Sequence, residues 1–118
     1  MEKDIKFSLL LDFYGPLLTP KQSRAIELYY NEDLSLAEVA QDISITRQGA
    51  HDLIVRGCEF LTDCESSLGL LEKFNRLEEG LAKISRSAQE IKDCTSDADI
   101  CALAQGIIDM SLKLSENG

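Results

Sequence analysis

Ser35-Leu36-Ala37-Glu38-Val39-Ala40-Gln41-Asp42-Ile43-Ser44-Ile45-Thr46-Arg47-Gln48 is the stretch whose reading decides the fold of this chain. Its first four residues form a capping box. The Ser35 hydroxyl is placed to accept from the Glu38 amide while the Glu38 carboxylate reaches back. Leu36, Val39 and Ala40 recur at helical spacing, so a short amphipathic helix follows the cap. Polar or turn-compatible Gln41, Asp42 and Ser44 then flank Ile43, and Ile45 supplies a second inward anchor. Thr46 stands where it caps a second helix whose first turn presents Arg47 and Gln48. Two helices at this spacing, joined by a tight turn, predict a helix-turn-helix from Ser35 to Arg56, the unit that inserts its second helix into a DNA major groove.

On the N-terminal side, residues 3–14 read as a first helix, with Ile5, Leu9, Leu10 and Phe13 dominating one side. Gly15-Pro16 stops it, because glycine accepts a left-handed cap and proline cannot continue a helix. Thr19-Pro20-Lys21-Gln22 starts the next one, with Thr19 as cap, Pro20 at the first helical position and Gln22 closing the box. Ala25, Ile26, Leu28, Tyr29 and Tyr30 give it a buried face. Helices over 20–30, 36–42 and 47–61 then make a trihelical core. In the last of these, Ala50, Leu53, Ile54, Cys58 and Leu61 face inward, leaving Arg47, Gln48, His51, Asp52 and Arg56 outward. Gly49 lowers the helix's stability by up to ~1 kcal/mol relative to alanine, unless it serves close approach to a partner.

On the C-terminal side the period changes beyond Asp63. Leu70, Phe74, Leu77, Leu81, Ile84, Ala88 and Ile91 alternate at intervals of four and three, a heptad seam with charged flanks. Such a stripe must pack on the core, on the last helix or on a second copy. Asp93-Cys94-Thr95-Ser96 breaks the pattern, and Ser96 is placed to cap a final helix bearing Ile100, Leu103, Ala104, Ile107, Ile108 and Leu112. Glu116-Asn117-Gly118 reads as a frayed end. The expected organisation is an N-terminal helix plus helix-turn-helix core over 1–63 and a C-terminal helical arm over 64–118. The arm is either a hairpin packed on the core or an element exchanged between subunits.

The chain has 118 residues, 44% of them hydrophobic, enough for one domain with a core. Apolar runs fall short of the ~20 residues that span a bilayer, and the N-terminus lacks a signal peptide's apolar stretch. A cytoplasmic location with no membrane partner is therefore expected. Cys58, Cys64, Cys94 and Cys101 are separated by five, twenty-nine and six residues, unlike the usual Cys-x2-4-Cys pairing of zinc ligands. Reduced, inert thiols are expected, with no metal and no cofactor. His51 is the only histidine, and no paired acid/base or nucleophilic constellation appears, so an enzyme is not expected. The net charge of −9 works against nucleic-acid binding, which draws most of its affinity from phosphate neutralisation. Even Thr19 to Leu61 holds only four basic residues against seven acidic ones, so any contact with nucleic acid must use a small basic spot.

Leu18-Thr19-Pro20-Lys21-Gln22, Ala25-Ile26-Glu27-Leu28-Tyr29-Tyr30, Leu36-Ala37-Glu38-Val39-Ala40 and Ile45-Thr46-Arg47-Gln48 resemble region 4 of bacterial sigma factors, a helix-turn-helix that reads promoter DNA. Adding Asp12-Phe13-Tyr14-Gly15, Leu34-Ser35 and Leu68-Gly69-Leu70-Leu71-Glu72-Lys73-Phe74, the series resembles the YlxM family of small bacterial cytoplasmic proteins, over roughly residues 5–92. The resemblance implies an all-α protein: a trihelical helix-turn-helix core of sigma-region-4 type with a C-terminal helical arm or hairpin. It also implies a regulatory accessory of the signal recognition particle pathway, to which the family is linked by genomic neighbourhood. The implied partners are the particle's small RNA, its GTPase protein, or both. Leu53 and Val55 stand where polar or basic residues belong in that pattern.

The expected nucleic-acid contacts are Lys21, Arg24, Thr46, Arg47, Gln48, His51 and Arg56. The bland alternative is a solvated helix face with pairs such as Asp52 and Arg56, four residues apart. The expected partner or homodimer surface comprises Val55 together with Leu70, Phe74, Leu77, Leu81, Ile84, Ala88 and Ile91. DNA in place of RNA, a DNA-binding transcriptional regulator, and a protein-interaction adaptor on the same fold are the alternatives.

Overall fold

The structure, a computed structural model, describes residues 3–117, with Glu116 and Asn117 described by their backbone alone. The expected frayed end at Glu116-Asn117-Gly118 otherwise lies outside the described residues. The described residues are all-α: α1 Lys6–Tyr14, α2 Pro20–Ile26, α3 Leu36–Asp42, α4 Arg47–Leu68, α5 Leu70–Cys94 and α6 Ala98–Asn117. Two compact units divide the chain, residues 1–71 and 72–118. The division therefore falls eight residues later than the expected 63/64 boundary. Leu61, Cys64 and Leu71 all pack into the core of the first unit, so α4 does not end near Asp63 but runs on to Leu68. Gly69 then stops it in the left-handed conformation, at φ 61°.

The three local start signals hold. Thr19 and Ser35 each accept from the amide three residues on, and the side chains of Gln22 and Glu38 close both capping boxes. Thr46 Oγ1 accepts from the Gly49 amide at 2.9 Å. A Cβ on Gly49 would lie 3.0 Å from that oxygen, so glycine here makes room for the cap. Other boundaries differ from the sequence reading. α1 begins at Lys6, not residue 3, and Gly15 is right-handed (φ −51°), leading into a 3-10 turn over Gly15–Leu17 rather than a left-handed cap. What Gly15 provides is space: an added Cβ would sit 3.2 Å from Leu11 Cδ1. The second helix passes into a π-helical turn over Glu27–Asn31, closed by the Glu32 amide donating to the Glu27 carbonyl at 3.1 Å. Asp97, not Ser96, caps α6, its Oδ1 accepting from the Asp99 and Ile100 amides at 2.9 and 3.2 Å.

The core of the first unit is built around α4, whose Ala50, Ile54, Cys58 and Leu61 are buried against Leu10 and Tyr14 of α1, Ala25 and Ile26 of α2, and Val39 and Ala40 of α3. Fully burying a side chain such as Ile54 or Leu61 stabilises by about 1.5–3 kcal/mol. Gly57 marks the crossing with α2: a Cβ there would fall 2.5 Å from Ile26 Cδ1. The start of α5 is held by side chains distant in sequence. Tyr14 Oη donates to Glu65 Oε1 at 2.8 Å and accepts from the Leu70 amide at 3.1 Å, while the Leu71 amide donates to the same carboxylate oxygen at 3.0 Å. Two of the open N–H groups that a helix start leaves are satisfied in this way. Burial, then the Glu65 hydrogen bond, raises the Tyr14 pKa.

In the second unit, α5 and α6 form an antiparallel hairpin. Ser115 Oγ donates to Glu78 Oε2 at 2.7 Å near one end, and Lys92 Nζ donates to Gln105 Oε1 at 2.6 Å near the other. Ala88 of α5 and Ala104 and Ser111 of α6 are its buried positions.

Candidate nucleic-acid interface

The turn between α3 and α4 sets where the second helix of the motif points. Ser44 takes φ 59°, a left-handed conformation, and the Ile45 amide donates to the Ala40 carbonyl at 2.9 Å. That reversal lets Ile43 and Ile45 both pack on the core and aims Thr46 at the first open amides of α4. Burial of Ala50, Ile54 and Cys58 then fixes the opposite side of α4 as the outward one.

Arg47, Gln48, Asp52 and Arg56 are exposed on that side, and His51 is half-buried among them. Gln48 Nε2 donates to Asp52 Oδ1 at 3.0 Å, and His51 Nδ1 lies 3.6 Å from the same oxygen, shielded from solvent and without a hydrogen bond. Asp52 therefore accepts from Gln48 and does not pair with Arg56 as the expected pairing had it. Arg47 and Arg56 make no ion pair among the described residues, and neither does exposed Lys21 on α2. Arg47 borders a shallow polar depression with Lys3, Asp33, Ser35 and Glu38.

Arg24 is different. Its guanidinium lies 3.8 Å from Glu27, 3.6 Å from Glu32 and 3.7 Å from Asp42. Half-exposed and shared among three carboxylates, it is less free to meet a phosphate than Arg47 or Arg56. Lys3 is likewise occupied, donating to Asp33 Oδ1 at 2.9 Å and the Leu34 carbonyl at 2.8 Å, and lying 4.2 Å over the Tyr29 ring. The Thr46 hydroxyl is engaged in its cap.

Val55 is half-buried, and with Phe7, Tyr30, Cys58, Glu59, Thr62 and Asp63 it lines an apolar depression beside α4. Sequence reasoning had marked Val55 alone. The aromatic neighbours come from α1 and the π-helical turn, and no spacing along the chain joins them. Burial raises the pKa values of both Tyr30 and Cys58, whose Sγ and Oη lie 3.8 Å apart.

The heptad seam does not act as one surface. Ala88 is buried inside the hairpin and is withdrawn from the expected dimer surface, and Phe74 and Leu81 are half-buried. Leu70, Leu77, Ile84 and Ile91 stay exposed. Among the described residues, no three His, Cys, Asp or Glu side chains form a group suited to a metal ion, and no helix is long and apolar enough to cross a membrane.

Residues 1–100 match the model of the UPF0122 family, described as a "helix-turn-helix protein, YlxM / p13 like". Among its relatives, a UPF0122 protein of Desulforamulus reducens is 45% identical over 84 residues, covering 71% of this chain and 72% of the relative. One from Clostridium kluyveri is 48% identical over 79 residues (67% and 71%), and one from Acetivibrio thermocellus is 43% identical over 96 residues (81% and 77%). With its capped α3, the left-handed turn at Ser44 and the capped α4 in place, the chain belongs to the UPF0122 family of YlxM / p13-like helix-turn-helix proteins.

Proposed function

We propose that this protein is a nucleic-acid-binding accessory of the signal recognition particle pathway, acting through the exposed face of α4. The observation that carries the reading is local. Arg47 and Arg56 project from the second helix of a helix-turn-helix with no carboxylate paired to either among the described residues, whereas Lys3, Lys6 and Arg24 each lie beside carboxylates. The first unit holds twelve acidic residues against six basic ones, so it repels bulk polyanion and relies on this spot. Such an arrangement favours a ligand presented at a defined place, such as the RNA of a ribonucleoprotein, over sequence scanning on DNA. The pathway assignment rests on the family resemblance and its genomic link.

A salt titration of binding to signal recognition particle RNA tests the proposal. Each phosphate-contacting cation contributes roughly 0.7–0.9 to the log–log slope. Arg47→Ala and Arg56→Ala should each flatten the slope by about that amount, whereas Arg24→Ala should leave it unchanged. Absence of RNA binding, or equal slopes in all four proteins, would defeat the reading.

The adaptor alternative has one observation of its own, the apolar depression at Val55. It expects binding to the particle's GTPase protein that survives Arg47→Ala and is lost with Val55→Glu.

A further inference from the structure

The second unit carries two apolar seams where a hairpin needs one. On α6, half-buried or buried Cys101, Ala104, Ile108, Ser111 and Ser115 recur at intervals of three and four and form the inner seam. One residue earlier in each case, Ile100, Leu103, Ile107, Met110 and Leu114 repeat the same spacing and are 42–72% exposed. On α5, Leu77, Ile84 and Ile91 recur every seven residues and are each about half exposed.

The exposed residues of the two helices share one face. A single open apolar groove is lined by Ile84 of α5 together with Leu103, Gly106, Ile107, Met110 and Leu114 of α6. The groove on the other side of the hairpin is more polar, with Glu78, Ser85, Arg86, Ser111 and Ser115 set among Leu81, Ala82 and Leu112. The asymmetry is therefore built into the helix faces and is not the general greasiness of a thin hairpin.

We propose that this face binds a second copy of the same chain, two hairpins closing into an antiparallel four-helix bundle about a twofold axis. Three observations select that occupant. The first is area. The eight apolar side chains are each 42–72% exposed, together a patch on the order of several hundred Å², the scale of an ordinary monomer's largest patch and of what each partner gives to a standard interface. The second is register. Both helices offer Leu, Ile or Met at heptad spacing, which is what each would meet on a twofold-related copy. The third is charge and bulk. No charged residue interrupts either exposed stripe, and the unit has nine acidic residues against six basic, so two copies are not strongly repelled. Gly80 and Ser87 border the α5 stripe on the helical wheel. Gly106 floors the groove, and a Cβ at Gly80 or Gly106 would have nothing within 4 Å. Mid-helix glycines with no contact in the monomer are accounted for by the approach of a neighbouring helix.

Sedimentation equilibrium of the full chain provides the test. The wild type should weigh twice the 13.1 kDa chain mass at micromolar concentration. Ile107→Glu, which would bury an unpaired charge, should weaken association by about a hundredfold or more while helical circular dichroism is kept. A monomeric wild type, or an Ile107→Glu variant that still dimerises, overturns the proposal. Should the variant unfold, hydrogen exchange of the wild type at rising concentration decides instead. Protection growing along 103–114 supports the interface, and protection growing only in the first unit refutes it.

Discussion

Gly57→Ala provides a quantitative check on the packing of α4 against α2. The new Cβ would lie 2.5 Å from Ile26 Cδ1 and 3.5 Å from Ile26 Cγ1, where carbon atoms prefer about 3.5–4.0 Å. Ile26 is completely buried, so its terminal methyl must shift within a packed core. Overpacking of this kind costs about 1–3 kcal/mol, and replacing a helical glycine recovers up to ~1 kcal/mol. The variant should therefore be less stable by about 1–2 kcal/mol, roughly 3–8 °C in Tm. All three tyrosines, Tyr14, Tyr29 and Tyr30, belong to the first unit and the chain has no tryptophan. Tyrosine fluorescence in urea thus follows that unit alone. Ile26→Val removes the offending Cδ1 and by itself costs about 0.5–1.5 kcal/mol. Combined with Gly57→Ala, it should destabilise less than the sum of the two by about 1 kcal/mol. Additive effects of the pair, or a stabilising Gly57→Ala, would refute the close approach.

Three further outcomes are expected. Ser44 holds a left-handed backbone that costs an L-residue about 1–2 kcal/mol; Ser44→Gly should stabilise the turn by up to ~1 kcal/mol after the glycine's larger unfolded entropy is counted, and Ser44→Val should destabilise it, with equal urea midpoints for the two contradicting the geometry. The Ser35 amide, then its hydroxyl, hold the Glu38 carboxyl below its ordinary 4.5, so its contribution is complete above that value and is lost as pH falls through the folded one. The stability gap between wild type and Glu38→Gln should accordingly narrow in acid, and a gap that widens would contradict the capping box. Cys58 is buried with its pKa raised by that burial, whereas Cys94 is exposed; a thiol reagent followed by mass spectrometry should label Cys94 well before Cys58, and early labelling of Cys58 would mean that the core opens readily.

The motif was legible because its determinants are short-range. Thr19 with Gln22, Ser35 with Glu38 and Thr46 with Gly49 each act across three residues, so residue type and spacing nearly fix the geometry. The inward set on α4 was legible for the same reason, since a 3.6-residue period assigns faces without reference to the partner. The extension of α4 to Leu68 was missed because what holds its end is the packing of Cys64 and Leu71 on the core. The Asp97 cap was missed because Ser96 and Asp97 are both competent caps, and only the backbone path chooses between them.

Sequence by itself determined the helix starts at Thr19, Ser35 and Thr46 and the amphipathic faces, all products of interactions within about one turn of the chain. Tertiary structure decided which charges remain available. Arg24 and Arg47 are alike as residues, yet carboxylates at Glu27, Glu32 and Asp42 converge on the first and leave the second unpaired. It also decided that Gly57 is a crossing point, that Tyr14 and Glu65 anchor the start of α5, and that the heptad seam divides between an inner and an exposed face. Each of these depends on residues brought together from different helices, and no local preference specifies the relative placement of two helices.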